Sequence, residues 1–317
     1  MLRNTIMAAS DTVLLFDAGA GTAQGGRMSQ EDRYLLLFPD QFPSKSTNKV
    51  ALFAVLDGHG SDMVAEHVRT HLPKLLASRP EFDEGDFETA IKRAFEDEDK
   101  LLLHMVMNDD DPEPVISGTT VALCLADLTR GLLVSGNVGD SHIVFVEREP
   151  GTEAILRLEL LSQAHKPNAP SEKRRIEQAG GAVHVYGGSA RLGTLNMSRA
   201  LGDLQYKNPI NTLDVNPSSR GRRANAVAPN LRGNFLSNEP YVRTITLSPD
   251  SRYAIICASD GITDQTDERT LMEYVMKQLR RGRRATDIAR EISILPASSL
   301  ESDNCTSVVA FFDGINA

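Results

Sequence analysis

Seven short runs of Val, Ile, Leu and Phe punctuate the chain, and their brevity constrains its fold more than any other feature. They are VALFAVLD (50–57), TTVALCLAD (119–127), GLLVSGNVGD (131–140), HIVFVER (142–148), VRTITL (242–247), YAIICASD (253–260) and TSVVAFF (306–312). Segments this short and this rich in β-forming residues fit buried sheet positions. LTRG (128–131) leaves a hairpin-sized gap between two of them. Helical periodicity comes in blocks: 63–77, where Val64, Val68, His71, Leu72 and Leu75 recur behind Ser61 or Asp62 as N-cap, and 86–107, with Phe87, Ile91, Ala94, Phe95 and Leu102. Further helices are expected over 171–179, 268–281 and 284–294. Strands in hairpins with helices arriving in pairs predict an α+β protein, packed antiparallel sheets covered by helices, rather than alternating βαβ units.

The 317 residues, 41% of them hydrophobic, suffice for one large core or two small ones. The balance of 34 basic and 43 acidic side chains, net −9, argues against a nucleic-acid partner, whose phosphates need Lys and Arg. No run approaches about 18 apolar residues, so no transmembrane helix and no membrane partner is expected. The start, MLRNTIMAASDTVLLFDAG, lacks a basic stretch followed by an apolar one, which speaks against a secretory signal. A mitochondrial presequence would want several arginines and no acids, whereas only Arg3 precedes Asp11. Cys124, Cys257 and Cys305 lie in or beside apolar runs without metal-type spacing and read as reduced, buried thiols of a cytoplasmic or nuclear protein. Monomer is the default expectation.

Residues 205–240 stand apart, with Lys207, Arg220, Arg222, Arg223 and Arg232 among Asn, Pro, Ser and Gly. They read as a long surface loop. Arg220, Arg222 and Arg223 are candidates for steering an anionic substrate; the alternative is a solvated insertion that contacts nothing.

The strand ends carry the chemical signal. VALFAVLD stops at Asp57, GLLVSGNVGD at Asp140 and YAIICASD at Asp260, while Asp303-Asn304 precede the last run and Glu31-Asp32 precede YLLLF. Each alone is ordinary turn chemistry. Together, they converge if the strand ends share one side of a sandwich, and so many anions in one place require cations. Oxygen-only ligands select Mg²⁺ or Mn²⁺ over Zn²⁺. Gly58 would let a carbonyl or water approach such a cation, and His59 would sit beside it, placed to transfer a proton.

RMSQED (27–32), LDGHG (56–60), SGTT (117–120), NVGDSH (137–142), AHKP (164–167), RRIEQAGGAV (174–183), LGTLNMSRALGD (192–203), ASDGITD (258–264) and DNCTSVV (303–309) occur in this order. They resemble the ordered motifs of the metal-dependent Ser/Thr protein phosphatases, type 2C. The resemblance covers about 13–313 and implies a single catalytic domain with the basic segment as an insertion. It implies a four-layer α-β-β-α sandwich, two antiparallel sheets flanked by helix pairs, with a binuclear Mg²⁺ or Mn²⁺ centre at one end. In that scheme Asp57 resembles the carboxylate bridging both metals, Asp260 and Asp303 the other ligands of one, and Glu31 with the Gly58 carbonyl those of the second. Asp32 would hold a metal-bound water, and Asp140 and Asp264, with Asp260, a third, weaker metal. Arg27 matches the arginine that grips the substrate phosphate and His59 the proposed general acid. The implied activity is hydrolysis of phosphoserine and phosphothreonine in phosphoprotein substrates by a metal-activated water, without a phosphoenzyme.

Departures from the motifs are Ser61 for a second Gly, His142 for Arg, Ala164 for Asp, Asn196 for Ala and Thr263 for Trp; none falls on an implied metal ligand. A pseudophosphatase, a binding module that keeps the fold without turnover, should have lost a metal carboxylate, and every expected one is present. A two-metal nuclease is opposed by the acidic charge. His165 reads as a structural histidine, and His67, His71 and His104, in helical segments, as surface or packing residues.

Overall fold

The computed structural model describes residues 11–109, 111–212 and 233–317. In chain order its elements begin with β1 (Val13–Ala23), β2 (Arg33–Leu37), β3 (Val50–Leu56), β4 (Gly58–His59), α1 (Met63–Ala77), α2 (Pro80–Glu84), α3 (Phe87–Asn108) and α4 (Glu113–Ile116). There follow β5 (Gly118–Thr119), β6 (Val121–Asp127), β7 (Leu132–Val138), β8 (His142–Arg148), β9 (Ile155–Leu160), α5 (Pro170–Gln178), β10 (His184–Tyr186), β11 (Ser189–Arg191) and β12 (Leu201–Gly202). The chain closes with β13 (Tyr241–Thr246), β14 (Arg252–Ala258), α6 (Asp260–Thr263), α7 (Glu268–Arg280), α8 (Ala285–Ile294) and β15 (Cys305–Gly314).

One five-stranded sheet runs β1-β15-β14-β8-β9 and the other β13-β7-β6-β3-β2. All their pairings are antiparallel. Strand β3 shows why the apolar runs are unbroken. Ala51, Phe53 and Val55 enter the core between the sheets with Cys124, Phe145, Ile255 and Phe312. The alternate residues Leu52, Ala54 and Leu56 pack with Val64, Val68 and Leu72 of α1 and Ile91 and Phe95 of α3. Across the molecule Val144, Ile256, Val309 and Phe311 pack with Met272 and Val275 of α7 and Ile288 and Ile292 of α8. Both faces of each sheet are covered, so both sides of a central strand must be apolar. The layers are helix, sheet, sheet, helix, as expected.

Capping fixes two helix starts: Asp86 accepts from the Thr89 amide at 3.0 Å before α3, and Asp267 from Thr270 at 2.9 Å before α7. The expectation for α1 holds only loosely. Asp62 makes no side-chain cap bond and pairs with Arg33, while Ser61 Oγ accepts from the Met63 amide at 3.3 Å. The unforeseen strands β1 and β9 are the two edges of one sheet. An edge strand need not be apolar on both faces, and DAGAGTA and ILRLEL accordingly lack a run.

The segment 205–240 differs from a plain surface loop at both ends, where Tyr206, Ile210, Phe235 and Leu236 are buried. Lys207 is buried as well, its Nζ 2.6 Å from Asp99 Oδ2 and 2.8 Å from the Ala200 carbonyl, so it is an internal ion-pair partner. Arg220, Arg222, Arg223 and Arg232 lie outside the described residues. Cys124, Cys257 and Cys305 are free and buried. Among the described residues no helix is long and apolar enough to cross a membrane.

Phe53 and Phe312 meet edge to face between the sheets, with centroids 5.9 Å apart. Phe53→Ala should cost about 3–5 kcal/mol, and Phe53→Leu clearly less, because the first leaves a cavity that rigid sheets cannot close. Urea unfolding of both variants checks this; equal losses would place the residue outside the shared core.

Candidate active site

Strand β3 delivers Asp57 to the rim of the sandwich, β14 delivers Asp260, the turn after β7 delivers Asp140, and the lead-in to β15 delivers Asp303. Glu31, Asp57, Asp260 and Asp303 line one cleft of about 680 Å³ together with Arg27, Gly58 and His59. Asp32 and Asp140 stand behind them, 3% and 1% exposed.

Their electrostatics follow from this crowding. Burial, then repulsion from Asp260, Asp32, Asp140 and Asp303, pushes the Asp57 carboxyl well above the usual range. Burial and the charges of Asp140, Asp264 and Asp303 raise Asp260 to about 7. Asp32 is raised by burial to about 6 although Thr306 and Ser259 donate to it. Asp32 Oδ1 and Asp140 Oδ1 are buried without a hydrogen-bond partner among the described residues. An all-oxygen set of mutually repelling carboxylates with unpartnered lone pairs fits hard divalent cations such as Mg²⁺ or Mn²⁺. Asp264, exposed at the end of α6, reaches the group through its charge on Asp260.

The loops of this rim are tied to one another by side chains. Asn304 Nδ2 donates to the carbonyls of Gln24 and Ser29 at 2.7 and 3.0 Å, and its Oδ1 accepts from the Glu31 amide at 2.8 Å. One amide thus docks the loop carrying Arg27 and Glu31 onto the Asp303 turn. A Cβ on Gly58 would lie 2.3 Å from the Glu31 carbonyl oxygen, so only glycine lets these two chains pass. Arg27 itself is exposed and bonds Asp303 Oδ2 at 2.6 Å.

His59 is placed by a small sheet of order β12-β5-β4. In it Gly118 and Thr119 pair with Gly58 and His59 on one side and with Leu201 and Gly202 on the other. The motifs LDGHG, SGTT and RALGD are therefore three strands of one unit. Asp203, next in the chain, has φ 48° and ψ 44°, a left-handed conformation that Asp tolerates better than most residues. Its fully buried carboxylate accepts from His59 Nε2 at 2.6 Å. Burial opposes protonation of His59, but the charge and hydrogen bond of Asp203 outweigh it and raise the imidazole above its ordinary 6.5.

Three groups here lay outside the sequence expectations. Asp203 was visible only as the end of a motif. Lys166, of AHKP, pairs with Asp140 and is kept charged by it against the cost of burial. Arg191, from β11, lines the cleft as a second guanidinium. His165 is buried, donates from Nδ1 to the Gly139 carbonyl at 3.1 Å and has a pKa lowered to about 4 by burial and by Arg199, as suits a structural residue. His142, the departure from Arg, lies 2.8 Å from the Glu268 carboxylate.

Comparison with known proteins identifies the family and the fold. A sequence model of the family described as protein phosphatase 2C matches residues 16–305. The chain is 32% identical over 307 residues to protein phosphatase 2C homolog 2 of Schizosaccharomyces pombe, covering 93% of this chain and 73% of that one. It is 31% identical over 276 residues to a probable protein phosphatase 2C of Caenorhabditis elegans, covering 86% and 66% of the two chains. In fold it is similar to the crystal structure of serine-threonine phosphatase 2C from Toxoplasma gondii, with TM-score 0.72, 23% identity and 96% of each chain covered.

A carboxyl whose pKa rises on folding weakens the fold once ionised: the unfolded chain has released the proton that the folded one still prefers. For Asp260 stability is lost as pH rises from 3.8 to about 7. In chelator at neutral pH, Asp57→Asn should likewise be more stable than wild type, because burial and repulsion from Asp260, Asp32, Asp140 and Asp303 hold the Asp57 carboxyl well above the usual range. Thermal melts in EDTA and in excess Mn²⁺ read this; a destabilised Asp57→Asn in EDTA would mean that the carboxylates do not strain the metal-free fold.

Proposed function

The chain belongs to the protein phosphatase 2C family of serine/threonine protein phosphatases, and on that premise we propose that it hydrolyses phosphoserine and phosphothreonine in proteins at a binuclear Mg²⁺ or Mn²⁺ centre. The observation that carries this reading is the gathering of Glu31, Asp57, Asp260 and Asp303 around one cleft, with the buried Asp57 and Asp260 carboxyls raised by burial and mutual repulsion. Asp57 would be shared by both cations, with Asp260 and Asp303 completing the hold on one and Glu31 and the Gly58 carbonyl on the other. Asp32 would orient water, and Asp140 and Asp264 would hold a third, weaker cation. When bound, the cations supply the positive charge that phosphate hydrolysis needs and activate the attacking water.

The chain's own residues do the rest. Arg27 holds the phosphate: its pairing with Asp303 is solvent-exposed, 60% and 39% on the two side chains, and such pairs yield readily to a dianion. Asp203 engages His59 Nε2–H, leaving Nδ1, which has no hydrogen-bond partner among the described residues, to give its proton to the departing seryl or threonyl oxygen. Asn304 and the small sheet keep these groups in register with Asp57. The physiological cleft would also include Arg220, Arg222 and Arg223 if the basic segment meets the substrate, and raised KM for acidic phosphopeptides in the triple alanine variant at low salt is the mark of that role. A binding module without turnover finds no support in a site with all its carboxylates.

Phosphate release from a phosphopeptide by chelator-treated protein should appear on adding Mn²⁺ and fall by at least about tenfold in a folded Asp57→Asn variant. Release that is unchanged in EDTA overturns the metal reading. His59→Ala should lower kcat on the phosphopeptide about 100-fold and on p-nitrophenyl phosphate, whose leaving group needs no proton, much less. The acid form of His59 is the active one, so the rate falls as pH rises through its raised pKa. Asp203→Asn removes the raising charge and should move that alkaline limb to lower pH; an unmoved limb with a lowered plateau would leave Asp203 a purely structural part.

A further inference from the structure

A second cluster of ligand atoms lies away from the cleft, between α1 and α3. His67 and His71 stand four residues apart on α1, so their imidazoles share one face of the helix. The rings stack with centroids 3.9 Å apart and planes 25° from parallel. Glu98 reaches the same place from α3, with Oε1 2.6 Å from His67 Nδ1. A ligand atom of each of the three lies within 4.8 Å of the other two.

Two observations set this apart from an ordinary packed ion pair. The Glu98 side chain is completely buried and its Oε2 has no hydrogen-bond partner among the described residues. A buried carboxylate with a free oxygen is costly unless a cation meets it. His71 Nδ1 donates to the His67 carbonyl at 2.8 Å, the contact that metal-ligating imidazoles make with their other nitrogen. That bond fixes the tautomer and leaves the Nε2 lone pair as the ligand atom. His67 keeps 13% of its side chain exposed and His71 is half-buried, so an ion can enter from solvent.

We propose that His67, His71 and Glu98 form a second metal site, separate from the carboxylate cleft, for one divalent cation of the Zn²⁺ class. Two imidazoles and a carboxylate favour Zn²⁺, Co²⁺, Ni²⁺ or Cu²⁺, whereas the oxygen-only cleft favours Mg²⁺ or Mn²⁺. An ion here clamps α1 to α3. Helix α1 starts at Met63, four residues after His59, so the clamp bears on the helix that leads away from the cleft.

Equilibrium dialysis of the full chain against Zn²⁺, in millimolar Mg²⁺, tests the site with three variants. His71→Ala and Glu98→Gln should each weaken uptake of one Zn²⁺ by about tenfold or more, while Asp57→Asn, which damages only the cleft, should retain it. Replacing Zn²⁺ by Co²⁺ gives a second reading: intense visible bands of a tetrahedral site should be present in wild type and Asp57→Asn and missing from His71→Ala. Should alanine unfold the helix pair in EDTA, His71→Gln keeps the volume and serves instead. Uptake that survives both His71→Ala and Glu98→Gln, uptake lost in Asp57→Asn but kept in His71→Ala, or a wild-type chain that takes up no Zn²⁺ overturns the proposal.

Discussion

Mutual repulsion among Asp57, Asp260, Asp32, Asp140 and Asp303 is the constraint on which the rest of this structure depends. Burial and neighbouring charge raise Asp57 well above the carboxylate range and Asp260 to about 7. Such a group survives only if the fold holding it is rigid and independently stable. The sandwich meets that need. Its central strands are buried on both faces and end together at one rim, so the stabilising core lies along the same strands whose ends carry the destabilising cluster.

The rim is held by hydrogen bonds that are cheap in sequence and exacting in space. Asn304 ties three backbone groups of another loop with one side chain. Glu172 accepts from Arg175, Ser198 and Arg199; against the effect of burial these partners bring its pKa down to about 2, anchoring the segment that leads to Asp203. Gly118 makes room for Asp203, whose carboxylate oxygen would lie 2.2 Å from a Cβ there. The catalytic-looking residues therefore stand on polar scaffolding, while the apolar core below supplies the stability.

Much of this was legible in the amino-acid order. Periodicity located α1, α3, α5, α7 and α8 to within a residue or two, because each buries one stripe against a sheet. The central strands read clearly because both of their faces are apolar. Edge strands β1 and β9 did not, since water on one side removes the pattern. Among site residues, the carboxylates were legible by their place at strand ends and by the motif order. Asp203, Lys166 and Arg191 were not, because nothing local marks a residue whose partner lies 144 positions away, as His59 lies from Asp203.

Composition and pattern alone determined the layered antiparallel class, the helix positions, the acidic strand ends and the family, all of which follow from local periodicity or from ordered motifs. Only tertiary structure decided which charges meet. It set Lys207 inside the protein against Asp99, Lys166 against Asp140, and His67 and His71 against a buried Glu98 from another helix. The physical reason is that burial and charge pairing depend on distances through space, and helix α3 is brought beside α1 by the shared core of Val64, Val68, Ile91 and Phe95 rather than by anything written next to either histidine.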